Sequence, residues 1–196
     1  MNVLTRRLTY QILIKYIAGF SIMKKILFLF IMLFTSLCMC IAAERPRWVA
    51  QPVHVYIPEG FGNYSRLMQQ AFTEWEQKSD ELIRFDFVNK PSNANIHVNF
   101  VDHVTNCSSP LAVGCARMTE RGGQYYNCQL DIAMQKKFGK GYRPIENVYG
   151  VMLHEIGHAI GLGHSESANS IMYKYDLPTM QYLTDDDMEL LYKKYH

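Results

Sequence analysis

Eleven consecutive residues, His154-Glu155-Ile156-Gly157-His158-Ala159-Ile160-Gly161-Leu162-Gly163-His164, restrict the folds open to this chain more than any other segment does. His154 and His158 are four positions apart, so on a helix they stand one turn above each other on the same face, within reach of one ion. Glu155 flanks the first histidine and is placed to address a water on that ion without ligating it. A third ligand can return only if the helix stops soon after His158. Gly161 suits the left-handed residue that ends helices, Gly163 loosens the turn again, and His164 then arrives. The pattern predicts a helix, a break and a return that close three imidazoles around a zinc ion, with a fourth position open to water or substrate. Open sites of this kind are catalytic, whereas structural zinc sites close with four protein ligands.

The chemistry expected there is hydrolysis of a peptide bond. Zinc lowers the pKa of its bound water to about 7 and polarises a carbonyl oxygen, so Glu155 takes the proton as general base and returns it to the leaving amine. A buried helix with incidental histidines competes with this reading for HExxH alone. The full HExxHxxGxxH is a metzincin signature.

Ser170-Ile171-Met172-Tyr173 begins six residues after His164 and resembles the Met-turn beneath the zinc of metzincins. Ser165, directly after the third histidine, resembles the matrixins within that clan, the matrix metalloproteinase family. Astacins and serralysins carry a zinc-binding tyrosine two residues after the methionine; Lys174 stands there, so no tyrosine ligand is expected. Matrixins commonly show Met-Tyr-Pro-x-Tyr, from which Met172-Tyr173-Lys174-Tyr175-Asp176 departs by a lysine in place of proline. The resemblance implies that Tyr173 and Tyr175 belong to the S1′ pocket, formed by residues 173–182, and that an apolar P1′ residue is preferred. Taken alone, Met172 reads as a core methionine; its distance from His164 is what assigns it to the Met-turn. The implied activity is endopeptidase action on extended substrates. A catalytically inactive, zinc-containing peptide or protein binder is the alternative, and retention of Glu155 argues against it. No terminus-binding pocket of an exopeptidase is recognisable.

The expected fold is α+β, of metzincin type: a twisted mixed sheet with two helices in an upper subdomain, and a small irregular lower subdomain with the Met-turn and a C-terminal helix. Val53–Ile57, Ile83–Val88 and Ile96–Val101 alternate as strands, with Pro91 and Asn93 breaking the chain between the last two. Residues 64–78 read as an amphipathic helix with Leu67, Ala71, Phe72 and Trp75 on its core face. Residues 126–134 are a further strand, and its part from Gln129 to Met134 is where the family's substrate-binding edge strand is expected. Thr184 caps a closing helix whose first turn holds Asp185, Asp186 and Asp187, and this phrase also resembles the closing helix of matrixins.

A leader precedes this domain. Met23-Lys24-Lys25, an apolar run over 26–34 and small residues at Ala42 and Ala43 have the form of a secretory signal peptide. Residues 1–43 are therefore read as leader, with Met23 as the expected initiator, and 44–196 as the catalytic domain. Retention of residues 26–43 as a membrane anchor is the alternative, since 18 residues approach the spanning minimum. Cys38 and Cys40 lack the preceding small residues that lipoprotein processing needs. The leader holds five of the 20 Lys and Arg and none of the 18 Asp and Glu, which leaves 15 against 18, a net −3, for residues 44–196. That balance gives no sign of a nucleic-acid partner. A secreted monomer acting on protein or peptide substrates is expected, with membrane contact only through an uncleaved leader.

Three cysteines remain after the leader, Cys107, Cys115 and Cys128. Export favours one disulfide and one leftover thiol, with the pairing open. No cysteine lies between Glu44 and Asn106, so the pro-segment cysteine that keeps mammalian matrixins latent is not visible. His97 and His103 stand without the histidine and aspartate ladder of the family's second zinc, so one catalytic Zn2+ is expected. Asp86, Asp102 and Asp131 are candidates for Ca2+, but each reads better as solvated acidic surface.

Overall fold

Alternating apolar residues build one sheet. In the computed structural model, which describes residues 46–107, 109, 111–174 and 181–196, the strands are β1 (Val53–Tyr56), β2 (Phe85–Phe87), β3 (Ile96–Val101), β4 (Gly114–Arg121) and β5 (Gln124–Ala133). Their order is β2-β1-β3-β5-β4, with every pairing parallel except the antiparallel β4–β5 pair. Val53, Val55, Ile96, Val98, Phe100, Cys128, Leu130 and Ile132 all face one side and are buried. The opposite side is polar, with Asn99, Arg117, Gln129 and Asp131 joined by hydrogen bonds across β3, β4 and β5. One face packs and one is wet, as a sheet with an antiparallel edge permits.

Helix α1 (Asn63–Lys78) crosses from β1 to β2. It buries Met68, Ala71, Phe72 and Trp75, while Leu67 is half-buried, so its core face lies slightly round from the expected one and takes in Met68. Burial of Met68 or Phe72 contributes about 1.5–3 kcal/mol each. Helix α2 (Val148–Ala159) starts at Asn147, whose side-chain oxygen accepts from the Gly150 amide. It is apolar on nearly all sides because it lies between α1 and the sheet. Helix α3 (Asp185–Tyr195) opens with the expected cap at Thr184, completed by Asp187 as a reciprocal capping box.

The expectations for β1, β3, α1 and the closing helix agree with these elements. The strand expected over 83–88 shortens to Phe85–Phe87, because the chain leaves α1 through positive φ at Asp80 and Glu81 and Ile83 is buried in that turn. Strand β4 was not anticipated, nor was the two-stranded hairpin of β6 (Gln135–Phe138) and β7 (Gly141–Pro144). The placement of the sheet edge at Gln129–Met134 is corrected. Those residues lie in or directly after β5, which is paired on both sides, and the free edge near α2 is β4. A two-residue turn, Gly122–Gly123, causes this. Both glycines have positive φ, which is what a tight hairpin turn requires, and the turn folds β4 back along β5.

Cys107 and Cys115 form a disulfide, and Cys128 is free and buried within β5. Among the described residues no helix is long and apolar enough to cross a membrane. Residues 1–43, expected to be a leader, and Tyr175 lie outside the described residues.

Candidate metal centre

Helix α2 carries His154 and His158 on one face, and the chain turns back directly after it. Gly161 has φ +92°, and a side chain there would be strained by the backbone alone. A Cβ on Gly161 would also stand 2.8 Å from the Tyr125 ring and 2.9 Å from Lys194 Cε. Gly161→Ala is therefore expected to cost about 1–3 kcal/mol, seen as a fall in thermal midpoint. An unchanged midpoint would show that the turn tolerates another path. Gly163 lies outside the positive-φ region and a Cβ there meets nothing within 4 Å, so the turn does not depend on that glycine.

The return brings His164 to the other two. Ligand nitrogens of His154, His158 and His164 lie within 4.8 Å of one another, and the Nε2 atoms of His158 and His164 are 3.2 Å apart. Two nitrogens on one tetrahedral zinc would be separated by roughly 3.3 Å, given bonds of about 2.0–2.1 Å. The tautomers suit the task. His154 Nδ1–H donates to the Ile171 carbonyl at 2.7 Å and His158 Nδ1–H to the Leu162 carbonyl at 2.9 Å. Carbonyl oxygens only accept, so each proton sits on Nδ1 and each Nε2 lone pair is free for a metal. Burial, and then the neighbouring His158, pushes the His154 pKa down to about 4, and burial lowers that of His158. Both are neutral imidazoles at ordinary pH. The donor set fits zinc.

Glu155 lies against β4 and lines the same cleft as the three histidines. Its side chain is buried, and burial raises its pKa to about 8, partly offset by the Ala116 amide that donates to it. A Cβ on Gly114 would lie 2.2 Å from Glu155 Cγ. The first residues of β4 thus hold the carboxylate, and that dependence had no signature in the histidine motif. The Gly-Gly pair between two alternating runs was the available signal for β4.

Met172 is fully buried, and a Cβ on Gly157 would lie 2.2 Å from its sulfur. It is a core methionine that also packs under the histidine helix, because Ser165 N–H donates to the Met172 carbonyl at 2.7 Å. Ser170 ties this turn to α3 through a hydrogen bond to the buried Asp187. Three further side chains secure α2: Trp75 Nε1–H donates to the Leu153 carbonyl, Trp48 Nε1–H to that of Ala159, and Tyr195 O–H to that of Ile160.

The triad and Glu155 open onto a cleft of about 900 Å³ lined also by Tyr173, Gly114 and Ala116. Of the segment expected to shape S1′, residues 173–182, those at 175–180 lie outside the described residues. Among the described residues the triad is the one group of three or more side chains placed to hold a metal. Asp131 is corrected from solvated surface: it is bound by Arg117 at 2.7 Å and by Asn99. His103 stacks on Tyr142 and His54 faces Asp86. Burial pushes the Cys128 thiol up to about 12, so this leftover cysteine has no thiolate to offer a metal.

A family model described as matrixin matches residues 61–196. Over 125 residues the chain is 28% identical to matrix metalloproteinase-A of Caenorhabditis elegans, covering 62% of this chain and 23% of that protein. Over 153 residues it is 26% identical to interstitial collagenase of Sus scrofa, covering 74% of this chain and 32% of that protein. The chain thus spans less than a third of the length of these relatives.

Proposed function

The chain belongs to the matrixin family of zinc-dependent peptidases, and from that premise we propose that it is an endopeptidase whose working residues are His154, His158, His164 and Glu155. One observation carries the reading: three imidazoles converge beside the buried Glu155 side chain at the wall of an open cleft. Zinc, when bound by the three Nε2 atoms, supplies a Lewis acid that polarises a carbonyl oxygen and acidifies water. A dication held by the three histidines would offset the burial that raises the Glu155 pKa, so that Glu155, ionised, takes the proton from the attacking water and passes it to the leaving amine. The Ala116 amide and the close approach of Gly114 hold that carboxylate in place, and the Ile171 and Leu162 carbonyls orient the imidazoles. The outer edge of β4 accepts an extended substrate by strand addition, with Tyr173 at the entrance to the S1′ pocket.

Zinc removal tests the centre. A ligand that binds only the folded state stabilises it by about 2.7 kcal/mol at one hundred times its Kd. In a domain of this size that amounts to roughly 5–11 °C. Chelation is expected to lower the melting temperature by such an amount and to stop cleavage of a quenched peptide, with zinc restoring both. Identical melting with and without zinc, together with no cleavage of a diverse peptide set, would sink the reading.

We also infer export. The charged and apolar leader over 23–43 supports it, and so does the Cys107–Cys115 disulfide, a bond of oxidising compartments. N-terminal sequencing of the mature product distinguishes cleavage near Ala43 from retention of an anchor.

A further inference from the structure

The β6–β7 hairpin holds Lys136, Lys137, Lys140 and Arg143 within ten residues and no carboxylate. Residues 44–196 as a whole carry an excess of acid, so this concentration of cations runs against the rest of the domain. It is also unfavourable in itself. Lys136 pairs directly across the ladder with Arg143, and like charges in that position repel. Arg143 finds partial relief over the Phe138 ring at 4.3 Å and near the exposed Glu146 at 3.9 Å. Among the described residues, Lys136, Lys137 and Lys140 have no carboxylate partner.

The position of two of these lysines separates a working site from a merely soluble surface. Lys136 and Lys137 line the same cleft as the histidine triad, beyond the Gly114 end of β4. Among the described residues that line this cleft the one carboxylate is Glu155, which is buried, and the third lysine, Lys174, is ion-paired to Glu166. Among the described residues the cleft is thus lined by two uncompensated cations and no accessible anion.

We propose that Lys136 and Lys137 form a cationic subsite that selects protein substrates with Asp or Glu in the segment flanking the scissile bond. This rests on the peptidase reading above and adds a substrate class to it. Whatever reaches the two lysines from the cleft is the polypeptide lying in it, and its carboxylates supply the charge that the hairpin lacks. Such exposed pairs are individually weak and screened by salt, so the subsite biases KM and leaves the chemical step alone.

The test uses the full zinc-loaded protein and two quenched peptides that differ only in three flanking residues, Asp/Glu-rich in one and Ser/Gln-rich in the other. Wild type is expected to cleave the acidic peptide with about a five- to ten-fold higher kcat/KM at low ionic strength, through KM, and the advantage shrinks in 0.5 M salt. The double variant Lys136→Glu/Lys137→Glu is expected to disfavour the acidic peptide while cleaving the neutral one at the wild-type rate, which also shows that it folds. Anisotropy of the same peptides, labelled, on the Glu155→Gln protein reads binding without turnover. If that preference persists while nothing is cleaved by wild type, the peptidase reading fails and the subsite stands. Equal binding and equal cleavage of the two peptides by wild type overturn the subsite. So does a hairpin that binds a sulfated oligosaccharide in a Lys136- and Lys137-dependent way while showing no peptide preference.

Discussion

Glu155→Gln is expected to lower kcat by about 10²–10⁴, the contribution typical of a positioned general base, with little change in KM, zinc content or melting temperature. The amide has nearly the same shape, so it still fits beside Gly114 and its oxygen still accepts from the Ala116 amide. What it loses is the capacity to take a proton from water. A fall confined to kcat identifies an interaction made only in the transition state. Steady-state cleavage of a quenched peptide, with zinc content measured on the same samples, is the check. A variant within ten-fold of wild type would move the base elsewhere.

Trp75→Ala is expected to destabilise the domain by about 3–5 kcal/mol, a large share of the 5–15 kcal/mol typical of a whole domain. Trp75 is fully buried, donates to the Leu153 carbonyl at 2.9 Å, and stands against Gly157 under the histidine helix. Removing it leaves a cavity directly beneath the segment that carries His154 and His158, so zinc affinity falls as well. Trp75→Phe separates packing from hydrogen bonding. It keeps much of the ring and gives up one hydrogen bond, worth about 1 kcal/mol. Urea unfolding of both variants measures the difference. A loss under about 1 kcal/mol for Trp75→Ala would mean that α1 is not what supports α2.

Much of this site was legible without coordinates because its spacing is local. His154, Glu155, His158, Gly161 and His164 lie within eleven residues, where helical geometry and one glycine turn decide what can converge. The cap at Thr184 and the strand Ile96–Val101 were legible for the same reason. Errors arose where an alternating pattern shows that a strand exists but not who its neighbours are. The run through Gln129–Met134 reads equally well as an edge or as an inner strand, and the Gly122–Gly123 turn, by adding β4 outside it, decided the matter.

Local sequence therefore determined the convergence of His154, His158 and His164, the place of Glu155 beside them and the turn that joins them, since each is set by contacts within a few residues. Tertiary structure decided what surrounds them. It paired Cys107 with Cys115, set β4 as the edge beside Glu155, and placed Met172 under Gly157. It also turned Lys136 and Lys137 toward the cleft. These depend on contacts between residues distant in the chain, settled by packing against the sheet and α2, and periodicity along the chain carries no information about them.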